Sequence, residues 1–278
     1  MRPHPVILSI AGSDCSGGAG IQADIKTISA LSGYAASVIT SVTVQNTLGV
    51  QTICSLPSEI VGGQLEAVME DLQPDAIKIG MINDAQIVSM IASCIRKYSP
   101  AHVVYDPVML STSGKELMTN ETLEEIKENL LPLVTLVTPN IDEAMVLTNI
   151  RIENIEDMHE AGEILVDKYH TNFLIKGGHL AGYNVYDMLL LTDHTYHIYQ
   201  HAKIKSKNLH GTGCTLSSAI ATNLANGFAM NEAVQHAKEY IIKAIIDGQN
   251  LEIGKGNGPL WHFPDTSAQM CTYCAVMS

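Results

Sequence analysis

Short runs rich in β-branched and aliphatic residues alternate with longer stretches of helical period along almost the whole chain. That alternation constrains the fold more than any single residue does. VILSI (6–10), SVITSVTV (37–44), TICSL (52–56), AIKIG (76–80), VVYDP (103–107), LVTPN (136–140) and FLIKGG (173–178) read as strands or strand ends. Residues 20–33 read as a helix with Ile21, Ile25, Ile28 and Leu31 on one face. A second helix after Pro57 carries Val61, Leu65, Val68, Met69 and Leu72, and a third carries Ile87, Val88, Ile91, Cys94 and Ile95. A charged helix is expected over about 121–130, two more near 141–148 and 155–169, and a final pair over 214–226 and 230–247. YDMLLLT (186–192) and TYHIYQHA (195–202), joined through Asp193 and His194, form an antiparallel hairpin. Strands that alternate with helices imply right-handed βαβ units and a mostly parallel sheet. Strands apolar on both faces require helices above and below that sheet. The expected fold is therefore α/β, with one domain over residues 1–264 and a loosely ordered tail at 265–278.

Charge narrows the partners. With 16 basic against 29 acidic residues the net charge is −13, and no Lys/Arg cluster interrupts the balance. Nucleic acid and anionic membranes demand a basic patch, so neither is expected as a partner. No window approaches the length of a spanning helix and the N-terminal apolar run is too short for a signal peptide, which points to the cytoplasm. Six cysteines, at 15, 54, 94, 214, 271 and 274, are too scattered for a disulfide framework. Cys54 and Cys94 sit among apolar residues and read as small buried hydrophobes. Cys271 and Cys274 form a CxxC with no second pair, so a loose tail is the favoured reading over a zinc site.

Ligands on such sheets bind beyond the carboxyl ends of strands, and the polar and glycine-rich signals fall there. AGSDCSGGAGIQAD (11–24) contains the spacing of a dinucleotide fingerprint in Gly18, Gly20 and Ala23. The acid that should hold a ribose at the end of the second strand is missing, and Gln45 stands there instead. A Walker A loop is excluded because Ile21 and Gln22 replace Lys-Ser/Thr. A glycine-rich substrate loop and a purely structural turn both remain open. KNLHGTGCTLSSAI (207–220) places Gly211, Thr212, Gly213 and Cys214 before an apolar-striped helix. Backbone N–H groups at such a helix start form an anion site, and a thiol there is expected to have a lowered pKa. A packed cysteine in a tight turn is the competing reading. Asp106, Asn140 and Glu143 are hard oxygen donors at strand ends and suit a hydrated Mg²⁺ that bridges phosphates; capping roles compete with this. Lys176, at the end of LIKGG, aims a cation over the sheet.

The order of these segments resembles the ribokinase-like superfamily, in its vitamin-kinase branch. IAGSD-SGGAGIQADIKT, the VxVQNTxGVQ stretch (42–51), IKIGM (77–81), DPVM (106–109), TPNxxEA, IKGGH and HGTGCTLSSAI look like hydroxymethylpyrimidine/phosphomethylpyrimidine kinases over about residues 6–264. Cys15 stands where that family usually carries Pro. The resemblance implies a ribokinase-like three-layer fold and ATP-dependent phosphorylation of 4-amino-5-hydroxymethyl-2-methylpyrimidine, then of its monophosphate, in thiamine biosynthesis. It implies that Gly12, Asp24, Gln45, Met81 and Val108 line the aminopyrimidine pocket, with Gln45 and Asp24 bonded to the ring and its exocyclic groups. Asp106 and Glu143 would organise Mg²⁺, Asn140 and Lys176 would contact ATP phosphates, and Lys238 would lie near the nucleotide. Gly211 to Cys214 would form the anion hole, with Cys214 in place of the general base of sugar kinases. A homodimer is implied as well. The competing activities are pyridoxine/pyridoxal kinase, a non-catalytic vitamin sensor and, more distantly, an NAD oxidoreductase.

Overall fold

The computed structural model describes residues 3–109, 117–178, 180 and 182–263. Cys271, Cys274 and His179 of the Lys-Gly-Gly-His run lie outside the described residues. Nine strands form one sheet: β1 (Val6–Asp14), β2 (Tyr34–Asn46), β3 (Gly49–Ser55), β4 (Ala76–Ile79), β5 (Val103–Tyr105), β6 (Leu136–Val137), β7 (Asn172–Lys176), β8 (Asn184–Leu190) and β9 (Tyr196–Ala202). Their order is β3-β2-β1-β4-β5-β6-β7-β8-β9. The stretch from β2 to β7 is parallel throughout, while β3 and the β8–β9 hairpin add antiparallel pairs at the two edges. The helices are α1 (Gly20–Ala30), α2 (Ser58–Asp71), α3 (Ala85–Tyr98), α4 (Asn120–Glu125), α5 (Ile141–Thr148), α6 (Ile155–Tyr169), α7 (Thr212–Ala225) and α8 (Met230–Gly248). The expected charged helix is α4 continued by a π-turn at Ile126–Leu130, and Pro132 then tightens the chain into a 3₁₀ turn at Leu131–Leu133.

Strand alternation divides the core. On one face Leu8, Ile10, Ile77, Ile79 and Phe173 pack with Ile91 of α3 and Leu165 of α6. On the other, Ile7, Val104, Leu136 and Leu174 meet Ile28 of α1, Leu216 and Ile220 of α7, and Ile241 of α8. The result is the expected α/β/α arrangement of three layers. Cys54 departs from expectation: it is exposed on edge strand β3, where Gln51, Thr52 and Ser55 are exposed as well. Cys94 on α3 is half-buried, and that burial pushes its thiol up.

Two polar residues interrupt the second apolar face. Ser9 of β1 and Lys78 of β4 both point toward α1 and α7, and there they meet Asp24. Lys78 Nζ lies 2.9 and 2.8 Å from the two Asp24 oxygens, Ser9 Oγ donates at 2.5 Å and Ser218 Oγ of α7 at 2.8 Å. Lys78 and Asp24 side chains are fully buried. Burial works against the Lys78 ammonium, and Asp24 overcomes it, holding the pKa above the ordinary lysine value.

The last described segment closes back on α7. Gly258 O accepts from His210 N at 3.1 Å, Trp261 N donates to Ala244 O at 3.1 Å, and His262 Nε2 lies 3.0 Å from Thr215 Oγ1.

Lys78→Met leaves Asp24 buried without its cation. It is expected to lower folding stability by about 3–5 kcal/mol in urea titrations, and replacing both residues by well-packed apolar ones should recover most of the loss.

Candidate active site

The chain passes from β1 leftward to β2 and β3 and then returns to β4 on the other side of β1. That reversal opens a crevice at the carboxyl ends of β1 and β4. The cavity found there has a volume of about 940 Å³. It is lined by Gly12, Gln45, Met81 and Val108 and by Asn140, Lys176 and the Gly211–Cys214 turn. Asp106 and Glu143 also line it.

Caps place the polar groups. Asn140 starts α5, and its side chain accepts from Glu143 N at 2.9 Å while Glu143 Oε2 accepts from Asn140 N at 2.7 Å. This reciprocal pair fixes both residues at the cavity. Asp106 Oδ1 accepts from Lys176 Nζ at 2.7 Å and from Thr138 Oγ1 at 3.0 Å. Burial works against the Lys176 ammonium, and Asp106 and Glu143 overcome it and hold it above the usual lysine range. Burial pushes the Glu143 carboxyl up to about 7, with Asp106 adding and Lys176 opposing.

The α7 turn is built around glycine. Gly211 has φ +88°, and a Cβ there would lie 1.9 Å from Gly18 O. A Cβ on Gly213 would lie 3.0 Å from Asp106 Oδ2 and 3.5 Å from Lys176 Nζ, so this backbone sits directly over the ion pair. The N–H groups of a first helical turn have no acceptor within the helix, which leaves them for an anion.

The N-terminal loop folds around Asp14. Its Oδ1 accepts from Ser16 N and Oγ at 2.8 and 2.7 Å, and its Oδ2 from Ala19 N at 2.8 Å and Gly18 N at 3.2 Å. His210 Nε2 lies 2.9 Å from the same Oδ2. Burial raises this carboxyl, but His210, Ser16 and Ala19 outweigh it and hold the pKa at about 2.

Three expectations need correction. Asp24 does not line the cavity: it is fully buried, and Ser9, Lys78 and Ser218 occupy its oxygens. Lys238 does not line it either; it is buried against Asp187, whose other oxygen holds Gly177 N at 2.9 Å. The Cys214 thiol is not lowered. Burial pushes it up to about 11, Asp24 and Asp106 add to this, and Lys78 and the Gly20 N–H oppose it. Two residues at the cavity went unassigned in the sequence, Asp14 and His210, although one ends β1 and the other directly precedes the glycine turn that opens α7.

The donor set bears on Mg²⁺. No group of three or more His, Cys, Asp or Glu side chains able to hold a metal occurs among the described residues. Asp106 and Glu143 are already bonded to Lys176, Thr138 and the Asn140 backbone. Two carboxylates of this kind fit a hydrated Mg²⁺ that arrives with a nucleotide, which keeps most of its waters and needs only one or two protein oxygens.

Glu143 gives a pH test. Because its folded pKa is raised from 4.5 to about 7, the folded state binds a proton that the unfolded chain has released. Its contribution to stability is complete below 4.5 and is lost as the pH rises through about 7. Thermal melts across that range should show the wild type losing stability relative to Glu143→Gln.

The family described as phosphomethylpyrimidine kinase matches residues 14–261. A hydroxymethylpyrimidine/phosphomethylpyrimidine kinase from Rhizobium meliloti is 45% identical over 259 residues, 93% of this chain and 97% of that one. The crystal structure of a phosphomethylpyrimidine kinase from Clostridium difficile is 44% identical, with a TM-score of 0.78 over 87% of this chain and 99% of that one. The structure of pyridoxal kinase from Staphylococcus aureus in complex with AMP-PCP and pyridoxal is 32% identical, with a TM-score of 0.86 over 95% of each chain. This chain belongs to the phosphomethylpyrimidine kinase family.

Proposed function

We propose that the protein transfers the γ-phosphoryl group of ATP to the hydroxymethyl oxygen of 4-amino-5-hydroxymethyl-2-methylpyrimidine, and then a second phosphoryl group to the monophosphate, as a step of thiamine biosynthesis. The observation that carries this reading is the convergence of the Lys176–Asp106 pair with the backbone of Gly213 in a cavity that Gln45 also lines. A glutamine can donate and accept at once, which matches the edge of an aminopyrimidine. Met81 and Val108 supply apolar walls for the ring. Asn140 and Lys176 face the phosphates. Asp106 and Glu143 would hold Mg²⁺, directly or through water, and it would supply charge neutralisation on those phosphates.

In the first transfer the substrate oxygen bonds to the γ-phosphorus as the bond to the β-bridging oxygen breaks, and ADP leaves. The in-flight phosphoryl group carries its charge on equatorial oxygens. The first-turn N–H groups of Gly213 and Cys214 and the Lys176 ammonium are fixed where they can meet that charge without reorganising. The hydroxyl proton leaves late in such a loose transfer and passes to an oxygen of the transferred phosphoryl group, so little base strength is needed. A Cys214 thiol held at about 11 suits that: it is un-ionised at neutral pH and contributes through the turn it belongs to. Homodimer assembly belongs to the same reading, with the exposed Val42 and Val44 of β2 and Leu48 beside them as an apolar surface for it. A cytoplasmic site of action belongs to it too.

Pyridoxal kinase is the alternative. The higher TM-score of that neighbour follows the fold, whereas the higher identity of the phosphomethylpyrimidine kinase follows the side chains.

ADP release should be measured with the aminopyrimidine alcohol, its monophosphate and pyridoxal, each with and without Mg²⁺. Turnover confined to pyridoxal would sink the reading. Cys214→Ser separates the two roles of the turn. Loss of a general base costs about 10²–10⁴-fold in rate, so a fall well below that range is expected if the backbone is what matters.

A further inference from the structure

Gln45 stands between two neighbours whose demands on it conflict. Its Nε2 lies 3.1 Å from His210 Nε2, and its Oε1 lies 3.2 Å from Thr43 Oγ1. His210 Nε2 is also 2.9 Å from Asp14 Oδ2. An ionised carboxylate is acceptor-only, so His210 Nε2 must carry its proton there; a lone pair in that position would face another lone pair. The charge-assisted bond to Asp14 is the stronger of the two claims on that nitrogen. With the proton in place, an amide nitrogen at 3.1 Å would set donor against donor. Thr43 meets a matching conflict, because its one hydroxyl hydrogen is sought by Ser13 O at 2.9 Å and by Gln45 Oε1 at 3.2 Å.

A half-turn of the Gln45 amide removes the donor–donor contact and the competition at Thr43. The one His210 Nε2–H stays directed at Asp14 Oδ2, Gln45 Oε1 takes the weaker share of it in a three-centre bond, Gln45 Nε2 donates to Thr43 Oγ1, and the Thr43 hydrogen goes to Ser13 O. The two ends of a glutamine amide are nearly isosteric, so hydrogen bonding decides which way it lies. His210 can impose this choice because its ring is clamped. A Cβ on Gly18 would lie 2.5 Å from His210 Cδ2, and residue 210 is bridged to Pro259.

We propose that His210 is the positioning residue that sets substrate specificity, by fixing the Gln45 amide so that one N–H and one lone pair face the cavity side by side. That pair matches a ring nitrogen next to an exocyclic amine, the edge of a 4-aminopyrimidine. The proposal rests on the function proposed above. It deepens that function by naming the residue that decides how Gln45 reads the ring.

The test compares two replacements of the same imidazole. Glutamine places its amide nitrogen where His Nε2 lies, and asparagine places it nearer Nδ1. His210→Asn should lower kcat/KM for the aminopyrimidine alcohol by about tenfold or more, the loss of one partner in a buried polar contact, while the affinity for a non-hydrolysable ATP analogue holds. His210→Gln should restore most of it. In a Gln45→Leu background His210→Asn should cost much less than it does alone, the remainder being its bond to Asp14. Equal losses in the Asn and Gln variants, or additive losses in the double variant, would assign His210 a merely structural part and overturn the proposal. A wild type that turns over pyridoxal and no aminopyrimidine sinks the function itself, and with it the substrate named here. A working wild type with an additive cycle sinks only the role of His210.

Discussion

The buried Asp24–Lys78 pair is the interaction on which the rest of the site depends. Taking two charges out of water is expensive, and one ion pair seldom compensates for it. Here Ser9 and Ser218 complete the set, so that β1, β4, α1 and α7 each contribute one member. Sliding α1 against β4 would part the two charges, and moving β1 or α7 would strip Asp24 of a hydroxyl donor. Ser218 lies one helical turn beyond Cys214, which makes this pair the registration point for the start of α7 and hence for the glycine turn above it. Lys78 also opposes the rise of the Cys214 thiol, so the same cation that locks the helix acts on the chemistry at its end.

Above that layer, each group at the cavity is held by a bond that is part of the fold. Glu143 and Asn140 cap α5, Asp106 is tied to Lys176 and Thr138, and Asp14 organises its own loop. Such groups are oriented before any ligand arrives, which is what electrostatic stabilisation of a transferring phosphoryl group requires. Asp187 extends the principle one step outward. It pairs with Lys238 and holds Gly177 N, fixing the turn that follows Lys176.

The layered sheet was legible because its signal is periodic. Alternation in β1 and β4 predicts two apolar faces, and both are apolar except at Ser9 and Lys78. The edges were harder to read. The apolar neighbours of Cys54 suggest burial, yet β3 is an edge strand on which Gln51, Thr52, Cys54 and Ser55 are all exposed, so neighbours in sequence do not secure cover. The motifs located the cavity and most of its walls. They could not tell Gly12 and Gln45, which face it, from Asp24, which turns away on α1 to meet Lys78. A motif records which residues are near a site, whereas facing depends on helix phase and on partners distant in sequence. The thiol of Cys214 illustrates a second limit. A helix start favours a thiolate, but the depth of burial is a tertiary property, and here desolvation wins. His210 was invisible for a third reason: its partner Asp14 is 196 residues away.

The segment that returns from α8 to α7 carries a consequence for biosynthesis. Gly258 holds His210, and His262 meets Thr215 beside the glycine turn. Domains fold as units while the ribosome delivers them from the N-terminus. Both glycine-rich loops therefore leave the ribosome well before the residues that brace them. A nascent chain can assemble most of its sheet early, yet its Gly211–Cys214 turn stays unbraced until the stretch from Gly258 to His262 has emerged. A chain made only as far as α8 carries both loops without the contacts that brace them.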